Sequence, residues 1–330
     1  MQAQLIALDW GTTSLRAYRL GEHGRVLEQR SLSAGIMQLP GTPRLIAGVM
    51  CSNGFELAFD EACGDWLDAQ PELPVIACGM VGSAQGWREA AYQETPASVV
   101  ALSSALQSVR SQRGVLIHII PGVLQRSTLP NVMRGEETQV LGVLSALPAA
   151  EARQPLLIGL PGSHSKWVQA VDGCIVHFDT FMTGEVFAAL SAHTILGRTM
   201  QRSEGFDEAA FDRGVAVARS ADGAAGPLST IFSCRTLGLT GQLTPTAQSD
   251  YLSGLLIGHE LGTLATLQRS LHDALPPVIL IGSEPLCMRY GRGLAASGFH
   301  HVTVAEQATE RGLWQVAVKA GLLVPTQAEV

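Results

Sequence analysis

The stretch Ile6-Ala7-Leu8-Asp9-Trp10-Gly11-Thr12-Thr13-Ser14-Leu15-Arg16-Ala17-Tyr18 sets a carboxylate, a glycine and two threonine hydroxyls between two apolar segments. It constrains the fold more than any other part of the chain. Leu5 to Leu8 reads as a central strand, Gly11 permits a tight reversal, and Arg16 to Leu20 reads as a second strand. The turn is then a loop within a β-hairpin. Backbone N–H groups from Gly11 to Thr13 can approach phosphate oxygens, the hydroxyls add donors, and Asp9 can hold Mg2+ through its water shell. D-x-G-T-T is a short pattern, however, and an ordinary hairpin with an Asp-Trp-Gly turn accounts for the same residues.

A second glycine turn lies at Leu156-Leu157-Ile158-Gly159-Leu160-Pro161-Gly162-Ser163-His164-Ser165-Lys166-Trp167-Val168, again between apolar segments. One such turn in each half is what two facing RNase H-like domains require, each supplying one phosphate loop to a shared cleft. In this the chain resembles the acetate and sugar kinase, Hsp70 and actin superfamily. Further segments narrow the resemblance: Gly79-Met80-Val81-Gly82-Ser83 with Gln85-Gly86-Trp87, Arg134-Gly135-Glu136-Glu137-Thr138-Gln139, Thr180-Phe181-Met182-Thr183-Gly184-Glu185, and Asp250 to Gly258. In this order, from the first strand to about Gly321, they resemble the 2-dehydro-3-deoxygalactonokinase family. Two positions depart from its pattern: Ser163 stands where a threonine is expected, and Thr95 precedes Pro96 where a cysteine is common.

The resemblance implies an α/β protein of two RNase H-like (actin-like ATPase) domains with a nucleotide cleft between them. It also implies ATP and Mg2+ as cofactors. Asp9, Gly11, Thr12 and Thr13 would form the first phosphate loop, with Asp9 facing Mg2+ through water. Gly162, Ser163, His164 and Lys166 would form the second, and Gly282 and Ser283 would border the adenosine. The implied substrate is a six-carbon 2-keto-3-deoxy acid phosphorylated on its terminal hydroxyl, as in galactonate breakdown. Gly35, Gly82, Ser83 and Trp87 are pocket candidates, and Arg16 or Arg134 could pair with carboxylate or phosphate. Closure of the domains over both ligands would exclude water.

The acidic pair Glu136-Glu137 stands just before a helical segment and upstream of the second glycine turn, the interval in which this family places its catalytic carboxylate. A kinase needs such a group within hydrogen-bond reach of the acceptor hydroxyl. Glu137, followed by Thr138, is the first choice and Glu136 the second. A helix N-terminus favours an ionised carboxylate by roughly 0.3–1 kcal/mol, which would keep the base charged at neutral pH. The plainer reading is that the glutamates only complement the helix dipole. His164 has no second metal ligand at useful spacing, and Lys166 lacks the G-x-x-x-x-G-K-[S/T] context of a P-loop.

With 330 residues, 46% hydrophobic and 15% charged, the chain can bury a large core in two domains. A net charge of −7 argues against a nucleic-acid surface. The six cysteines show no C-x-x-C spacing and read as buried free thiols in a reducing cytoplasm. Met1-Gln2-Ala3-Gln4 runs into the first strand without a basic leader, and no uncharged apolar run reaches membrane length. These features lead to the expectation of a cytoplasmic protein that binds neither membrane nor nucleic acid, with a closed homodimer as the default assembly.

Strand-like runs at Leu5 to Leu8, Arg16 to Leu20, Val26 to Ser31, Val75 to Cys78 and Val115 to Ile120 alternate with helical stretches at about 54–69 and 98–112. Val140, Leu141, Leu144 and Leu147 repeat at helical spacing, and the segment from Pro148 to Pro155 makes a connection. The domains are therefore expected at 1–150 and 151–330, with the last helix able to pack back on the first. Gly254, Gly258 and Gly262 fall on one helix face and require a close neighbour, either the sheet or an adenine pocket. A phosphatase of the same superfamily would differ by consuming ATP without sugar acid. The galactonate-derived acid and its gluconate-derived epimer differ at one stereocentre, which the residues leave open.

Overall fold

Leu5, Ile6, Ala7, Leu8 and Trp10 are fully buried, the pattern of a strand covered on both faces. They form β1 (Leu5–Trp10). The structure, a computed structural model, describes residues 2–201, 205–271 and 274–323. After β1 come β2 (Leu15–Leu20), β3 (Val26–Leu32), α1 (Gly54–Ala69), β4 (Val75–Cys78), α2 (Val99–Ser104), β5 (Gln107–Arg110), β6 (Leu116–Ile119) and α3 (Glu136–Ala146). The sheet order is β3-β2-β1-β4-β6-β5. The first three strands are an antiparallel meander, and β4 and β6 run parallel to β1. That arrangement is the RNase H-like sheet. Asn53 caps α1 by accepting from the Phe55 and Glu56 N–H groups, and the helix buries Leu57, Phe59 and Trp66.

The helix expected over 98–112 ends at Ser104. Residues 107–110 instead pair antiparallel with β6. Their burial alternates from one residue to the next, which is the two-residue period of an edge strand. Gly114, at φ +82°, closes the hairpin.

The second half repeats the plan with β7 (Leu156–Leu160), β8 (Ser165–Val171), β9 (Cys174–Phe181), α4 (Thr183–His193), α5 (Glu208–Ala218), α6 (Ala247–Leu271), β10 (Val278–Leu280), α7 (Glu284–Ala296) and β11 (Val302–Val304). Its sheet runs β11-β10-β7-β8-β9, with β10 parallel to both β7 and β11. Asp172 and Gly173, both at positive φ, make the two-residue turn between β8 and β9. The last helix is α8 (Ala308–Lys319).

The chain divides into two compact units, one of Met1–Pro155, Gln169–Phe178 and Glu306–Val330, the other of Leu156–Val168 and Asp179–Ala305. The crossing expected near residue 150 falls in the helical turn Ala149–Ala152, and the first unit runs on to Pro155. Within that unit α8 packs on α3. A Cβ on Gly142 would overlap Ala308, one on Gly312 would overlap Thr138, and Gln139 Nε2 donates to Thr309 Oγ1 at 3.0 Å.

The glycine face of α6 meets neither the sheet nor a ligand pocket. A Cβ on Gly254 would overlap Phe211 of α5, and one on Gly258 would lie 2.8 Å from Ala218 Cβ, while Gly262 faces open space. Gly214 of α5 answers from the other side, against Tyr251 and Leu255. The close neighbour is therefore a second helix. All six cysteines are free thiols, and among the described residues no helix is long and apolar enough to cross a membrane.

Candidate active site

In the first unit the site is built where β1 and β4 end. Gly11 N–H donates to Ser14 O at 2.9 Å and closes the hairpin loop, while Ile36 and Met37 N–H groups donate to Gly11 O and Thr12 O. Gly35 lies directly beneath: a Cβ there would overlap the Thr12 and Thr13 backbone. This contact seats the loop. Thr12 and Thr13 remain exposed. Asp9 pairs in register with Arg16 on one side and Cys78 on the other. Arg16 Nη2 lies 3.1 Å from Asp9 Oδ2.

Two glycines bring α3 to the same strand ends. Gly79 has φ +90° and sits against Trp10 O, and Gly135 has φ +112°, with its Cβ position 3.3 Å from Gly79 Cα. Both conformations favour glycine. The start of α3 then carries the acidic pair. Glu137 is wholly buried; its Oε2 accepts the Gly135 N–H at 2.6 Å and its Oε1 the Thr138 hydroxyl at 3.0 Å. Glu136 is partly exposed, and its Oε2 accepts the Arg134 N–H at 3.1 Å.

Burial, reinforced by the Glu136 charge, pushes the Glu137 carboxyl up to about 8. This reverses the expectation of a base held ionised by the helix start. One pH unit is worth about 1.4 kcal/mol, so desolvation of an enclosed carboxyl exceeds the helix contribution. The Cys78 thiol is likewise pushed well up by burial and by the Asp9 and Glu137 charges.

Arg134 is 9% exposed. Its Nη2 donates to Ala90 O at 2.8 Å and its guanidinium stacks 4.3 Å from the Tyr92 ring centroid. Among the described residues, Nε and Nη1 have no hydrogen-bond partner, nor does the Ser83 hydroxyl. Gly82 makes room for this arginine: a Cβ there would lie 3.0 Å from Arg134 Nη1. Trp87 belongs to an aromatic cluster, stacked on Phe55 and edge-on to Trp10 and Phe59.

In the second unit the loop after β7 leaves Gly162 facing open space and Ser163 and His164 exposed. His164 pairs with Glu185. Lys166 is buried and donates to Thr180 Oγ1 at 3.0 Å, so its ammonium lies within the sheet layer instead of on the loop. The Gly282–Ser283 turn runs beside this loop, with the Gly282 Cβ position 3.6 Å from Pro161 O. Ser283 then starts α7, its carbonyl accepting the Cys287 N–H.

The start of α4 joins the second loop, a contact that the 180–185 segment does not reveal by its residues alone. A Cβ on Gly184 would overlap Gly162 and Ser163, and Glu185 N–H donates to Ser163 O at 3.0 Å. A glycine directly after the first residue of a helix signals a close neighbour without naming it. Between loop and helices lies a cleft of about 320 Å3 walled by Gly162, Thr183, Gly184, Leu286, Arg289 and Tyr290, among others. Arg289 is held there by Asp250 at 2.9 Å.

Comparison with known proteins agrees with this architecture over nearly its whole length. The profile of the 2-keto-3-deoxy-galactonokinase family matches residues 9–316. A protein of Rhizobium meliloti (strain 1021), named a probable 2-dehydro-3-deoxygalactonokinase, is 36% identical over 314 residues, 93% of this chain and 94% of that one. The 2-dehydro-3-deoxygalactonokinase of Escherichia coli (strain K12) is 33% identical over 320 residues, covering 96% and 98%. A crystal structure from Sinorhizobium meliloti, described provisionally as a 2-dehydro-3-deoxygalactonokinase, superposes with a TM-score of 0.79 at 34% identity, covering 95% of this chain and 98% of that one. With a family profile spanning both units and relatives above 30% identity along almost all of it, the chain belongs to the 2-keto-3-deoxy-galactonokinase family.

Proposed function

We infer that the chain transfers the terminal phosphoryl group of ATP to the C6 hydroxyl of 2-dehydro-3-deoxy-D-galactonate, giving the 6-phosphate, as a step of galactonate breakdown. Beyond family membership, the observation that carries the reading is the delivery of Glu136 and Glu137 to the ends of β1 and β4. Gly79 and Gly135 bring them there, beside the strand that carries Asp9.

In a loose, metaphosphate-like transfer the protein has little covalent work to do, and positioning and charge dominate. A base must touch the acceptor hydroxyl. Glu137 ranks first in the sequence reading, but its carboxylate is enclosed and both oxygens are engaged. We therefore assign the contact to Glu136, which is partly exposed. Glu137 packs behind it as the buried neighbour, largely protonated at neutral pH. The first loop's Gly11, Thr12 and Thr13, and the second loop's Gly162 and Ser163, would donate to ATP phosphates. Adenosine would occupy the cleft beside Gly162 and Arg289, next to Gly282 and Ser283.

Asp9 presents the oxygen ligand that Mg2+ takes, and one carboxylate with phosphates and water is a sufficient set. When bound, the ion would neutralise charge on the transferring phosphates. Ser83 and Arg134, with their unpartnered buried groups, are the pocket residues for the sugar acid.

The test is a kinase assay over a panel of 2-keto-3-deoxy acids, following ADP and the phosphorylated product together. Preference for the galactonate-derived acid is expected. ADP release without sugar acid, or preference for the gluconate-derived epimer, would refute the assignment.

A further inference from the structure

Glu260, on α6, is 3% exposed and carries no role in the reading above. Its Oε1 accepts the Trp167 indole N–H at 2.7 Å, and its Oε2 accepts the Tyr290 O–H at 2.8 Å. Tyr290 O lies 2.8 Å from Ser165 Oγ, and Ser165 Oγ lies 3.5 Å from Gly162 N. Both Glu260 oxygens accept in these contacts, so the proton positions follow in order. Tyr290 donates to Glu260, Ser165 donates to Tyr290, and the Ser165 oxygen is left to accept the Gly162 N–H.

Ser165, Trp167 and Tyr290 are each at most 2% exposed. Bonds to a charged acceptor in such a setting are stronger than neutral ones and polarise one another. The carboxylate therefore ties α6, α7 and the first residues of β8 to the second glycine loop, reaching Gly162 through Tyr290 and Ser165.

We propose that Glu260 is a positioning residue for ATP: through Tyr290 and Ser165 it sets the orientation of the Gly162 N–H. The proposal rests on the reading that the Gly162 loop receives a nucleotide phosphate.

Glu260→Gln keeps the side-chain volume but replaces one acceptor oxygen with a donor, so the amide cannot accept from both Trp167 and Tyr290. Tyr290→Phe cuts the chain one step later and leaves the Trp167 bond intact. Each variant should raise KM for ATP about tenfold, the scale of one hydrogen bond to a charged group. KM for the sugar acid should stay within about twofold of the parent. The double variant should be no worse than Glu260→Gln alone, because both act on one path.

An unchanged KM for ATP in Tyr290→Phe, with only a lower melting temperature, would make the network structural and overturn the proposal. That variant decides the matter even if Glu260→Gln does not fold. Gly162→Val, measured alongside by calorimetry with ATP, separates the two levels. If it loses ATP affinity while Tyr290→Phe does not, only the proposal fails. If it keeps ATP affinity, the loop assignment fails and takes the proposal with it.

Discussion

Arg16 faces Asp9 across the β1–β2 ladder, its Nη2 3.1 Å from the Asp9 carboxylate. Burial raises the Asp9 pKa, and the guanidinium opposes that rise without cancelling it. Arg16 is thereby engaged with Asp9. Asp9→Asn should fold, because Arg16 is 46% exposed in its side chain and can be solvated without the partner. Turnover should fall roughly 10²–10³ fold, the scale of one electrostatic contact in a transfer site, and saturating sugar acid should not restore it. Normal turnover at ordinary Mg2+ would remove Asp9 from the site.

Gly135 places its N–H 2.6 Å from Glu137, yet burial still lifts that carboxyl to about 8 from an ordinary 4.5. The unfolded chain releases this proton near 4.5, whereas the folded chain keeps it to about 8. Between these values the native state binds more protons, so stability falls as pH rises. The full difference is roughly 5 kcal/mol at most. Glu137→Gln removes the ionisation, so its stability relative to the parent should grow steadily from pH 5 to pH 8. Parallel denaturant titrations check this, and a constant difference across that range would mean that Glu137 titrates normally.

Gly162 has open space where a Cβ would stand, so Gly162→Val should melt within about 1 °C of the parent, as surface substitutions away from packed features do. Its side chain would instead occupy the face offered to phosphate. ATP affinity should drop while sugar-acid affinity is retained. Gly184→Ala makes the contrast, because its Cβ would overlap Gly162 itself. It should lower both melting temperature and ATP affinity.

Much of this was legible in the residues. Unbroken apolar runs mark β1 and β4 because both faces are covered. Residues 107–110 were not legible as a strand: Gln-Ser-Val-Arg carries a single apolar residue, and only pairing with β6 makes it one. Gly254 and Gly258 correctly announced a close neighbour. Which neighbour depended on α5, whose Gly214 lies forty residues earlier in the chain. Within the site, the motif located the acidic pair, but burial differs completely between adjacent residues of one helix turn. Lys166 likewise reads as a loop cation until the strand's alternation turns it towards Thr180.

Arg134 yields the last prediction. A guanidinium 9% exposed and without a carboxylate partner is unusual, because a buried charge is costly unless paired. Here the Tyr92 face and Ala90 O satisfy it only in part, leaving Nε and Nη1 open beside a Ser83 hydroxyl in the same condition. The substrate proposed for this chain carries one carboxylate, and a planar fork matches that group as a single ammonium cannot. Arg134→Lys keeps the charge and loses the fork. It should raise KM for the sugar acid about tenfold or more, the scale of one charge-assisted bond, with KM for ATP unchanged. The parent should also discriminate against the neutral carboxamide of the substrate, and Arg134→Lys should narrow that discrimination. If KM for the acid and the preference over the amide both survive the substitution, Arg134 supports the pocket from behind, and another group reads the carboxylate.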